Sequence, residues 1–109
     1  MANEKRTLRL SKEIAREAAR FLEAESNHNS LITVMRVELA PKNQRATVLL
    51  SVLPETEEEK ALEFANRRAG AFRKFLGQAA RMRRLPEISF ALDRGEKNRQ
   101  RIEELSHAQ

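Results

Sequence analysis

Near the start of the chain apolar side chains recur at intervals of three and four residues: Leu10, Ile14, Ala18, Phe21 and Leu22, with Lys12, Arg16, Glu17 and Arg20 between them. That spacing lines one face of a helix. Ser11 is placed to cap its first turn, and the polar residues 26–30 to end it. The period then shortens to two. Leu31, Thr33, Met35, Val37 and Leu39 fall on one side and Arg36 and Glu38 on the other, which predicts a strand. Pro41, Lys42 and Asn43 make a turn. Ala46, Val48, Leu50 and Val52 then alternate with Arg45, Thr47, Leu49 and Ser51 as a second strand, paired with the first in a hairpin.

Thr56 followed by Glu57, Glu58 and Glu59 has the form of a capping box and predicts a second helix start. The three carboxylates suit the positive end of a helix dipole, so they read as caps rather than as catalytic acids. Leu62, Ala65, Ala69, Phe72 and Leu76 continue the helical stripe. Gly70 interrupts it, which predicts two shorter helices with a bend near that glycine. Pro86 ends the helical region, and Ile88, Phe90 and Leu92 alternate with Glu87, Ser89 and Ala91 as a third strand before a turn at Asp93, Arg94 and Gly95. The result is an α+β domain of order α-β-β-α-(bend)-α-β, with helices on one face of a three-stranded sheet. Residues 7–93 form this domain. Residues 94–109 read as a short polar segment or frayed helix anchored by Ile102 and Leu105.

Charge changes the picture. Seven basic residues and no acid lie between Phe64 and Pro86: Arg67, Arg68, Arg73, Lys74, Arg81, Arg83 and Arg84. The whole chain carries a net +5, so everything outside that stretch sums to −2. Concentrated positive charge of this kind marks a polyanion partner, and nucleic acid fits best, because neutralising phosphates releases condensed counterions. Arg67, Lys74 and Arg81 are spaced by seven and share a stripe opposite Ala65, Phe72 and Leu76. Lys42 and Arg45, at the hairpin turn, and Gly70, at the bend, complete the candidate RNA-binding set. There is no Trp or Tyr, and the five Phe fall on or beside predicted core faces, so recognition by backbone and shape is expected in place of base stacking.

Several kinds of chemistry lack their residues. The chain has no Cys and two His, His28 and His107, neither with a partner at ligand or triad spacing. It has no phosphate-binding glycine loop, no H-E-x-x-H pair and no G-x-S-x-G turn. No cofactor, metal or small-molecule substrate is expected. With 109 residues and 40% hydrophobic content, the chain suits one domain and is expected to be monomeric. No apolar run approaches the ~20 residues that cross a bilayer. The charged first ten residues have no apolar region after them, so a cytoplasmic location without a membrane partner is expected.

The segment Gly70-Ala71-Phe72-Arg73-Lys74-Phe75-Leu76-Gly77, followed by Arg81-Met82-Arg83-Arg84-Leu85-Pro86-Glu87-Ile88-Ser89-Phe90 and Asp93, resembles the corresponding run of the bacterial ribosome-binding factor A family. Val37-Glu38-Leu39, Arg45-Ala46-Thr47-Val48 and Ser51-Val52-Leu53 are similar to its hairpin, and Arg101-Ile102-Glu103-Glu104-Leu105 to its closing segment. The resemblance implies a type II KH fold whose G-x-x-G loop is replaced by an Ala-x-Gly bend. Here the bend reads Arg68-Ala69-Gly70, with Arg at the Ala position, and the basic tail of many members is missing. It further implies a non-catalytic factor for late maturation of the small ribosomal subunit, contacting that subunit's RNA and taking part in cold adaptation. The residues themselves reach only as far as a binder of RNA or another polyanion. Another KH-like RNA binder and a protein adaptor with a basic face stay open on that footing.

Overall fold

A computed structural model describes residues 2–26, 28–80, 82 and 84–95. The elements are α1 (Ala2–Glu25), β1 (Leu31–Leu39), β2 (Arg45–Leu53), α2 (Glu58–Arg67), α3 (Ala69–Ala80) and β3 (Glu87–Leu92). The order matches the type II KH arrangement. The expected C-terminal segment, with Ile102 and Leu105, lies outside the described residues.

Helix α1 begins well before Leu10. Residues 2–9 contain neither Gly nor Pro and consist mainly of good helix formers, so the helix continues where no core demands an apolar period. Ser11 therefore lies inside α1 and is not its cap; its Oγ donates to the Leu8 carbonyl at 2.9 Å. The core face carries Ile14, Ala18, Phe21 and Leu22, all buried. Glu17 shares that face at 5% exposure, and its carboxylate accepts from Arg20 Nη1 at 3.3 Å.

The sheet is mixed, in the order β1-β2-β3. β1 and β2 pair antiparallel, from Leu31 opposite Leu53 to Leu39 opposite Ala46, and β3 runs parallel to β2, from Glu87 opposite Arg45 to Leu92 opposite Leu50. As the central strand, β2 turns Ala46, Val48, Leu50 and Val52 inward, as its alternation predicts. β1 departs from the expected facing. A bulge between Val34 and Arg36 makes Met35 an extra residue and inverts the alternation there. Ile32 and Val34 before it and Val37 and Leu39 after it all pack on the core, while Leu31, Thr33 and Met35 are exposed.

One other expectation is corrected, and one is made more specific. Thr56 does not open a capping box: residues Glu55–Glu57 form one 3-10 turn, closed by the Glu57 amide donating to the Pro54 carbonyl at 3.0 Å, and α2 starts at Glu58 without a side-chain cap. The bend lies at Arg68, not at Gly70. Arg68 has φ −94° and ψ 4°, outside the helical well, and its amide is shared between the carbonyls of Phe64 and Ala65. The Phe72 amide then donates to the Arg68 carbonyl at 2.8 Å and starts α3. Gly70 is an exposed residue in the first turn of α3, with a negative φ and open space where a Cβ would stand.

Phe72, fully buried, centres the core, with ring centroids 5.4 Å from Phe21 and 6.0 Å from Phe90. Phe75 stands 5.5 Å from Phe21. Tilted aromatic pairs at these separations add about 0.5–1.5 kcal/mol each beyond the area they bury. This cluster fixes α1 and α3 against the sheet.

Candidate nucleic-acid interface

Strand direction determines which charges meet. β2 starts after the turn Pro41–Asn43, and β3 starts beside it, so the residues leading into β3 lie at the same end of the sheet as the hairpin turn. The Glu87 amide donates to the Gln44 carbonyl at 2.9 Å and ties the two together. α1 runs back toward this end, bringing Leu10 beside the turn. A hollow of about 580 Å³ opens there, lined by Leu10, Lys42, Asn43, Gln44, Arg73 and Arg84 together with Leu85. Among the described residues, no carboxylate lines it.

Each cation is held differently. Arg73 donates from Nε to the Pro86 carbonyl at 3.1 Å and from Nη2 to the Leu85 carbonyl at 3.0 Å, clamping the approach to β3 onto α3. Gly77 lets Leu85 lie close to the helix, since a Cβ there would stand 3.0 Å from Leu85 Cδ1. Lys42 and Asn43 both occupy the left-handed region, with φ 63° and 56°. Such backbone is costly for Lys, and the turn nevertheless keeps Lys42 among the residues that line the hollow. Lys74 and Arg84 are exposed, and Arg45 lies 3.8 Å from Glu87 in a pair so open to water that it contributes little.

The far end of the sheet differs. There α1 ends at Glu25, and Glu55, Glu57, Glu58 and Glu59 follow β2. Arg67 shares a second cavity with Glu57, Lys60, Glu63, Ser26 and Ser30. Arg68 Nη2 donates to Glu25 Oε2 at 2.9 Å, and its Nε is buried without a partner. The predicted patch is thus divided: Arg73 and Arg84 join Lys42 at the hairpin end, where Arg45 begins β2, while Arg67 and Arg68 stand among carboxylates. The heptad stripe through Arg67 and Lys74 is broken by the bend between them. Arg81 and Arg83 lie outside the described residues. Gly70 contributes open backbone near Arg68 and no bend.

Sequence reasoning missed Lys5, Arg6, Arg9 and Lys12, exposed on the part of α1 that leads to Leu10. A signal was present. These four cations lie between Glu4 and Glu13 with no acid among them.

The family model described as ribosome-binding factor A matches residues 6–106. The chain belongs to the ribosome-binding factor A family. It is 34% identical to the ribosome-binding factor A of Alkalilimnicola ehrlichii over 91% of this chain and 82% of that one. With the Synechococcus sp. CC9605 protein it shares 31% identity over 79% of its length, and there it spans 62% of the relative. The crystal structure of ribosome-binding factor A from Thermus thermophilus superposes with a TM-score of 0.71 at 28% identity, over 79% of this chain and 94% of that one. A homology model of Thermus thermophilus ribosome-binding factor A, fitted into a cryo-EM map of its 30S complex, gives a TM-score of 0.70 at 28% identity, over 80% of this chain and 94% of that one. Ribosome-binding factor A structures thus share the mixed three-stranded sheet and three helices described above. Among the described residues, no helix is long and apolar enough to cross a membrane.

Proposed function

We propose that this protein is a non-catalytic assembly factor that binds the small ribosomal subunit through its RNA during late maturation and acts in the cytoplasm. The observation that carries the reading is a basic hollow, lined by no carboxylate among the described residues, on a ribosome-binding factor A fold. The Thermus relative has been placed in a 30S complex, and surfaces of clustered cations bind RNA phosphates in proportion to the charges they neutralise. No spacing of nucleophile, base or metal ligand in the sequence supports a reaction.

Sedimentation of a cell extract tests this reading. The protein should migrate with free small subunits and leave them as salt rises, and cells lacking it should accumulate small-subunit rRNA precursors, most in the cold. Migration with large subunits, together with normal rRNA processing in its absence, would overturn it.

A further inference from the structure

We propose that the hollow under the β1–β2 turn is a site for the RNA phosphodiester backbone, separate from the surface at the break between α2 and α3. This rests on the ribosomal reading and deepens it by naming where the RNA is held.

Five observations converge on the hollow. Its volume, about 580 Å³, lies within the roughly 300–1,000 Å³ of sites that enclose small-molecule-sized groups. Three cations from three separate segments reach it, Lys42 from the turn, Arg73 from α3 and Arg84 from the approach to β3, and among the described residues no carboxylate lines it to repel a phosphate. The two backbone carbonyls that Arg73 holds through Nε and Nη2 fix its guanidinium plane, and neither of these bonds uses Nη1, so the group is oriented before any ligand arrives. Asn43 and Gln44 add neutral amides at the wall, able to donate to or accept from a ribose hydroxyl. Among the described residues no aromatic ring lines the hollow, which favours backbone over base.

The break in the helices offers the opposite environment. Arg68 is neutralised by Glu25, and the cavity that Arg67 lines also contains Glu57 and Glu63. A phosphate there would meet carboxylates as well as cations. At the hairpin end Leu10 forms part of the wall, so the exposed Arg6, Arg9 and Lys12 of α1 extend the positive track away from the hollow.

The test measures binding of the full chain to purified small subunits and to a fragment of their RNA at several salt concentrations. Two double variants are compared, Lys42→Gln with Arg84→Gln at the hairpin end and Lys60→Gln with Arg67→Gln at the other. All four side chains are exposed, and circular dichroism checks that the folds are intact. The hairpin pair should lower affinity about tenfold or more and reduce the slope of log K against log salt by about 1.5, whereas the other pair should change affinity less than about threefold. Equal losses from both pairs, or no loss from the hairpin pair while the unaltered protein still binds, would overturn the proposal and leave the ribosomal reading standing. Failure of the unaltered protein to bind subunits or RNA would overturn both. NMR titration separates the ligand sources: backbone amides at 42–45 and 84–85 should shift with a short RNA oligonucleotide at concentrations where inorganic phosphate or a mononucleotide leaves them unmoved. Equal response to the mononucleotide would make this a small-ligand site and overturn the RNA assignment.

Discussion

Asn66 and Phe90 are joined in both directions: Asn66 Nδ2 donates to the Phe90 carbonyl at 3.0 Å, and the Phe90 amide donates to Asn66 Oδ1 at 2.9 Å. The carboxamide of an α2 residue thereby behaves as one residue of an additional strand along the outer edge of β3. Phe90 is also a core ring, so the same residue fixes the packing inside the sheet and the position of α2 beside it. Covering a strand edge in this way removes a pair of open backbone groups that another chain could join.

Asn66→Ala leaves both backbone groups of Phe90 without their partner in a partly buried place. A loss of about 1–3 kcal/mol is expected, read as a lower urea midpoint with an unchanged m-value. Asn66→Asp restores only the acceptor and should cost a similar amount, because its carboxylate cannot donate to the Phe90 carbonyl.

Lys42→Gly should stabilise the fold and weaken RNA binding together. Glycine adopts the left-handed backbone of the turn freely, which relieves roughly 1 kcal/mol of strain less its own greater chain entropy, while the hollow loses one cation. Thermal melting and subunit binding on the same preparation check the two effects. A turn whose sequence serves the fold alone would show the first without the second.

Gly70→Ala should raise stability by about 0.5–1 kcal/mol. The added methyl meets open space in the first turn of α3, where Ala is the better helix former. Subunit binding should stay within about twofold, since the bend belongs to Arg68. A large loss of binding in this variant would return the functional hinge to the glycine.

Arg68→Ala should cost less than about 1 kcal/mol in spite of the short contact to Glu25. Both side chains of that pair are close to 40% exposed, which screens their attraction, and the substitution also removes the buried, unpartnered Nε. Urea titrations at low and high salt should differ little between the variant and the parent chain.

How far the sequence could be read depended on which forces act on each segment. β2 was legible residue by residue because both of its neighbours hold it and burial enforces the alternation. β1 was legible as an element, but not in its facing: the bulge at Met35 is a property of pairing with β2, and nothing local to that strand announces it. Ser11 and Thr56 have the chemistry of caps, yet α1 extends past the first, and a 3-10 turn takes up the second. Gly70 marked the neighbourhood of the bend by propensity, whereas the non-helical backbone is at Arg68, two residues earlier. Charge was legible as a quantity and misplaced as a surface. Residues close in sequence, Arg67 and Arg84, end in different environments, while Lys42 and Arg84 share one hollow because β2 and β3 start side by side.

The separation of cations at the hairpin turn from carboxylates after β2 acts before any contact is made. The nine residues of β2 hold the two groups roughly 25 Å apart, more than two screening lengths at physiological salt. In the field of a polyanion one end is drawn in and the other pushed away, so the molecule feels a torque as well as an attraction. It turns during approach, and a larger share of its encounters begin with the hairpin leading. Carboxylates remote from the RNA thus shape the rate of association by excluding the wrong orientations, a contribution no list of contacts in the finished complex would contain.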